Sequence, residues 1–281
     1  MKGLIVTADD FGAAVEVNEA IELAHRDGIL TAASLMVAAP AAADAVICAR
    51  RMPSLRVGLH LVLVEGRPML PPKAIPDLVG ADGNFRTDMV RVAARMFFLP
   101  RARNQLAHEI AAQFEAFAAT GLRLDHVNAH KHFHLHPTIA DLMARIGSDF
   151  GMRAARVPDE PSRVLSEVDG RPRSRFNTLS IATAVLRSKL RRADVMTSDR
   201  TFGIAWSGAM TKERIAGLLS KLPDGLNEIY LHPATRDVFP GSTPGYRYRD
   251  ELAALLDSAT IALARNTDIR LGGFADFPLR R

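Results

Sequence analysis

The chain has 281 residues, 48% of them apolar and 24% charged, and carries a net charge of +5. These proportions exclude a disordered chain, and α/β barrels reach this length undivided, so one domain spanning 1–281 is expected. Lys and Arg outnumber Asp and Glu by 36 to 31 with no dense basic run, which argues against a nucleic-acid partner. A lone cysteine, Cys48, excludes a disulfide framework and a thiolate metal cluster, so any metal must be held by His and carboxylates.

The apolar run Leu4-Ile5-Val6 opens a strand (Leu4 to Ala8) that Asp9-Asp10 cuts short of signal-peptide length. With no apolar stretch long enough for a membrane span, the expectation is a cytoplasmic protein starting at Met1, free to touch the inner face of the membrane. Further strands are predicted at Thr31 to Met36, Val57 to Val62, Asp125 to Asn128, Ala154 to Arg156, Phe202 to Ile204, Glu228 to Leu231 and Arg270 to Gly272. Helical spacing marks Val15 to Arg26, Ala41 to Arg51, Gln105 to Ala119, Pro137 to Phe150, Lys212 to Leu219 and Glu251 to Arg265. This alternation predicts an α/β fold, an irregular (β/α) barrel with a parallel sheet. Two segments break the pattern, near 64–104 and 159–199, and read as lids or insertions.

The first strand runs into Thr7-Ala8-Asp9-Asp10-Phe11-Gly12, where a barrel enzyme does its chemistry. Side chains alternate along an extended segment, so one acid can bind a metal while the other moves a proton; the plain alternative is that one caps the next helix. The third strand carries His60 within Arg56-Val57-Gly58-Leu59-His60-Leu61-Val62, and a lone buried histidine is more often a hydrogen-bonded core residue than a ligand. The fourth leads into His126, His130, His132, His134 and His136, five of the nine histidines, which would line one side if the segment were extended, although Pro137 should open a helix and end the alternation. Glu228-Ile229-Tyr230-Leu231-His232-Pro233 ends an apolar strand on a histidine suited to a catalytic acid. Arg156, at another strand end, can hold a carboxylate or bind substrate through its planar donors, the alternative being a surface ion pair.

Taken together, Ala8-Asp9-Asp10-Phe11-Gly12, Gly58-Leu59-His60, the block around His130 and Leu231-His232-Pro233 resemble the YdjC/ChbG-like carbohydrate deacetylases over nearly the whole chain. The run Asn128-Ala129-His130-Lys131-His132-Phe133-His134-Leu135-His136-Pro137 looks most like the hopanoid biosynthesis-associated HpnK branch, whose substrate is thought to be a sugar on a hopanoid lipid. The resemblance implies a polysaccharide deacetylase-like barrel and one divalent metal bound by Asp10, His60 and His130, with Asp9 as general base and His232 as general acid. It implies Mg²⁺, whereas one carboxylate with two imidazoles also suits Zn²⁺, Mn²⁺, Co²⁺ or Fe²⁺. Many relatives have Asp-Ser where this chain has Asn128-Ala129, so Asn128 or Asp125 must orient a ligand in place of that Asp.

The expected activity is hydrolysis of the acetamide of an N-acetylated amino sugar, free or on a glycolipid. Rival readings are hydrolysis of another bond such as a phosphoester, and non-catalytic sugar or lipid binding. Met96-Phe97-Phe98-Leu99 beside Arg95, Arg101 and Arg103, and the stripe Leu179, Ala182, Leu186 and Leu190 beside Arg187, Lys189, Arg191 and Arg192, suit either an anionic membrane surface or packing against the barrel or a second subunit of a homodimer.

Overall fold

Short runs of small and branched apolar residues bury both faces only inside a parallel sheet, and the runs at Leu4, Ala32 and Val57 do so here. The computed structural model describes residues 2–171, 180–265 and 268–278. In chain order its elements are β1 (Lys2–Phe11), α1 (Val15–Asp27), β2 (Ala32–Leu35), α2 (Ala42–Arg51), β3 (Arg56–Leu61), α3 (Met89–Phe98), α4 (Pro100–Ala119), β4 (Val127–Ala129), α5 (Pro137–Asp149), α6 (Ser162–Asp169), α7 (Ser180–Arg192), β5 (Arg200–Phe202), α8 (Lys212–Ser220), β6 (Gly225–Leu231), α9 (Tyr248–Leu256), α10 (Ser258–Ala264) and β7 (Ile269–Leu271).

All strand pairs are parallel, in the order β4-β3-β2-β1-β6-β5. β7 lies against the start of β1, pairing Lys2 to Leu4, while β2 pairs its later half from Thr7 onward. Beyond β4 the sheet continues as single bridges, Val127 to Ala155 and Ala154 to Met196, curling it into a partly closed barrel. The strand expected at Ala154 to Arg156 is thus two bridging residues, too short to build a ladder. The catalytic candidates stand where β1, β3, β4 and β6 leave the sheet at their carboxyl ends.

Several boundaries differ from expectation for local reasons. The strand expected at 202–204 ends at Phe202, because Gly203 has φ +124° and a Cβ there would lie 2.3 Å from the Tyr230 carbonyl oxygen. The helix expected over 251–265 is two helices, since Asp257 accepts the Thr260 amide and starts α10 afresh. The 64–87 segment is tied down: Glu109 of α4 accepts the amides of Met69 and Leu70, and Gln105 accepts that of Asp77. In α7, Leu186 and Leu190 are buried, so that stripe packs inward, and Leu179 lies outside the described residues. In α3, Met96 is buried while Phe97, Phe98 and Leu99 are exposed. Cys48 is buried, and burial with Glu22 beside it pushes its thiol up to about 12.

Candidate active site

The first strand ends irregularly. Its register against β2 shifts between Ala8 and Phe11, and Asp10 takes φ +62°, the left-handed region, next to this bulge. The alternation expected of Asp9 and Asp10 is broken, and both line one cleft with His232, Tyr248 and Phe239. That cleft has a volume of ≈ 20 Å³, space for about one water molecule. Neither acid caps α1: its N-cap is Ala14, without a side-chain bond.

Asp10 Oδ1 lies 3.3 Å from His60 Nε2 and 3.3 Å from His130 Nδ1. One ligand atom from each of the three residues lies within 4.8 Å of the other two, the compact donor set that a single cation needs. Asp10 Oδ1 is buried and accepts no well-formed hydrogen bond, so a cation would satisfy it. Burial opposes charge on these groups, yet the neighbouring imidazoles hold Asp10 well below the usual carboxylate range, and Asp10 in turn raises the pKa of His130.

His60 Nδ1 faces Asn128 Oδ1 at 2.6 Å, so Nε2 is the atom turned to Asp10. Asn128, and not Asp125, is therefore the residue that meets the His60 ring; Asp125 accepts the amides of Phe274 and Ala275 and pairs with His126.

Asp9 is 2% exposed and Arg156 is fully buried. Both terminal nitrogens of Arg156 donate to Asp9, and Nε and Nη2 donate to Glu228 Oε1 at 3.0 and 2.9 Å, while Thr7 donates to the same oxygen. Arg156 is therefore not in a surface ion pair, and with its donors spent on two buried carboxylates it presents no free edge to a substrate. Tyr230 stacks on it, 4.4 Å from ring centroid to Cζ. Burial works against the Asp9 charge, but Arg156 outweighs it and holds the carboxyl far below its ordinary range.

The five-histidine block does not line one side. β4 stops at Ala129 and His130 to Leu135 form a 3₁₀ turn, with Lys131 and His132 at φ +53° and +52°. His130 joins Asp10, His132 meets the Tyr230 hydroxyl at 2.9 Å, His134 donates to the Arg156 carbonyl at 3.0 Å, and His126 lies buried against Ser34. His136 sits beside Phe97 of α3, ring centroids 6.1 Å apart. His232 lines the same cleft just past the end of β6, its backbone N–H held by Glu251 and its Nδ1 buried without a partner. Sequence reasoning missed Glu228, Tyr230 and Ser34; a carboxylate inside the apolar strand Gly225 to Leu231 was the available signal for the first.

The family model for YdjC-like proteins matches residues 3–266. A carbohydrate deacetylase of Geobacillus stearothermophilus is 31% identical over 277 residues, covering 97% of each chain. One from Vibrio vulnificus is 42% identical over 134 residues, 48% of this chain and 50% of that one. In fold, the chain is similar to the crystal structure of a putative cellobiose-phosphate cleavage protein from Enterococcus faecalis, with a TM-score of 0.77, 24% identity and 98% of each chain covered. Near full-length likeness together with the gathered Asp9, Asp10, His60, His130 and His232 leads to one conclusion: the chain belongs to the YdjC-like family.

Proposed function

We propose that the protein is a metal-dependent hydrolase that removes the acetyl group from an N-acetylated amino sugar. The observation that carries this reading is that Asp10, His60 and His130 offer three ligand atoms within 4.8 Å of one another, beside a cleft shared by Asp9 and His232. Relatives named carbohydrate deacetylases along the whole chain support the choice of bond and substrate class.

An acetamide resists hydrolysis because water is a poor nucleophile and an amine a poor leaving group. Asp10, His60 and His130 would hold a divalent cation, which would supply Lewis acidity to the hydrolysis, and two imidazoles in the donor set favour a transition ion such as Zn²⁺ over Mg²⁺. Asp9 takes the proton of water in the cleft. Arg156 keeps it ionised and fixes its direction, which makes Arg156 a positioning residue rather than a substrate contact. His232, which lines the same cleft, donates a proton to the departing sugar nitrogen. General acid and base steps of this kind contribute roughly 10²–10⁴-fold each.

The glycolipid form of the substrate rests on Phe97, Phe98 and Leu99, exposed at the end of α3 beside Arg101 and Arg103 and adjoining the segment that carries His130. No helix among the described residues is long and apolar enough to cross a membrane, so contact would be peripheral. The test offers metal-loaded protein a chito-oligosaccharide, an N-acetylglucosaminyl lipid in anionic vesicles and a sugar phosphate. Acetate release without phosphate release is expected, with Phe98→Ser slowing only the vesicle substrate. Phosphate release alone would refute the deacetylase reading, and equal lipid turnover by Phe98→Ser would refute the membrane contact.

A further inference from the structure

We infer that Asn128 is a positioning residue that locks His60 in its cation-binding tautomer, and that a one-way hydrogen-bond chain running from Asp125 through His126 and Ser34 holds Asn128 in that orientation. The inference rests on the metal-site reading above. His60, His126, Asn128, Ser34 and Asp9 are all buried, so each donor must find an acceptor inside the protein.

The polarity follows from what each group can do. Asp125 already accepts the amides of Phe274 and Ala275, and as a carboxylate it accepts again from His126 Nδ1 at 3.0 Å. His126 then carries its proton on Nδ1, and its Nε2 lone pair accepts from the Ser34 hydroxyl at 3.0 Å. With its proton committed, Ser34 Oγ accepts from Asn128 Nδ2 at 2.9 Å. The same nitrogen donates to Asp9 Oδ1 at 3.1 Å, an oxygen that also accepts from Arg156. Two acceptors thus claim the Asn128 amide nitrogen from two sides, and its oxygen is left for His60 Nδ1 at 2.6 Å. An oxygen there requires the His60 proton on Nδ1, which frees the Nε2 lone pair beside Asp10. In the other tautomer, Nε2–H would block the cation and two acceptor atoms would face each other.

The experiment is ¹⁵N NMR on histidine-labelled, metal-free protein, which reports the His60 tautomer directly, followed by calorimetric Zn²⁺ titration of the same samples. Wild type is expected to carry its His60 proton on Nδ1. Asn128→Leu should lose that fixed tautomer and bind Zn²⁺ about 10–100-fold more weakly, the usual range when a ligand's outer partner is removed. Asn128→Asp, which keeps an acceptor facing His60, should retain the tautomer. A wild-type His60 protonated on Nε2, or an Asn128→Leu protein with unchanged tautomer and affinity, would overturn the proposal. If Asn128→Leu does not fold, the wild-type tautomer still decides. Failure of wild type to bind Zn²⁺ would refute the metal site itself, whereas the tautomer is read with no metal present.

Discussion

Arg156→Met removes the guanidinium that lies between two buried carboxylates. Asp9 and Glu228 are 2% and 0% exposed, and both lose their guanidinium donors at once. Breaking a buried ion pair by deleting one partner costs about 3–5 kcal/mol, because the remaining charge stays out of water. Against a total stability of about 5–15 kcal/mol this is a large share, and at about 2–4 °C per kcal/mol for chains approaching this size the melting temperature should fall by roughly 10 °C. Differential scanning calorimetry and urea titration at pH 7 measure it. Arg156→Lys should recover only part of the loss, since an ammonium cannot fork to both carboxylates. The triple variant Asp9→Asn, Arg156→Met, Glu228→Gln should recover more, having no buried charge left to compensate. An Arg156→Met protein within about 1 kcal/mol of wild type would refute the reasoning, since that is the scale of an exposed pair.

Asp9→Asn is isosteric but loses the base and one acceptor for Arg156: in folded variant protein Zn²⁺ binding should persist and acetate release should fall by at least about 10²-fold, as expected for loss of a general base; near-normal turnover, measured by acetate assay, would take Asp9 out of the reaction. His134 titrates at about 3 because burial and nearby Arg156 disfavour its charge, whereas in the unfolded chain it takes a proton near 6.5. The unfolded state therefore binds more protons between those values, and stability falls as pH drops through that window by about 1.4 kcal/mol per unit from this residue. His134→Gln, which can still donate to the Arg156 carbonyl, should lose about 2 kcal/mol less than wild type between pH 7 and pH 5 in urea titrations; identical pH slopes would contradict that assignment.

The strands that form the site were legible because the residues at their carboxyl ends conflict with their surroundings. Asp9-Asp10 after Leu4-Ile5-Val6, His60 amid Leu59 and Leu61, and His232 after Leu231 are polar groups in places where burial must be compensated. The alternation of runs sufficed for a parallel α/β sheet. What periodicity did not reveal was local backbone geometry. The left-handed turn at Asp10 puts adjacent carboxylates in one cleft, and the left-handed pair Lys131-His132 breaks up a block that would otherwise line one side. Arg156 could be seen at a strand end, but its burial depends on Glu228 and Tyr230 arriving from β6, a long-range pairing with no mark in the neighbouring sequence. Asn128 stood in the sequence only as one of two candidates to orient a ligand, and its contact with His60 is a pairing between β3 and β4 that local sequence does not mark.

If one cation at Asp10, His60 and His130 drives the proposed deacetylation, acetate release from an N-acetylglucosamine oligomer must follow the titration of chelator-stripped protein with Zn²⁺. The expected rate is near zero without metal, rises to a plateau at one ion per chain, and does not rise for Asp10→Asn. Full activity in the stripped protein, or the same plateau in Asp10→Asn, would contradict it.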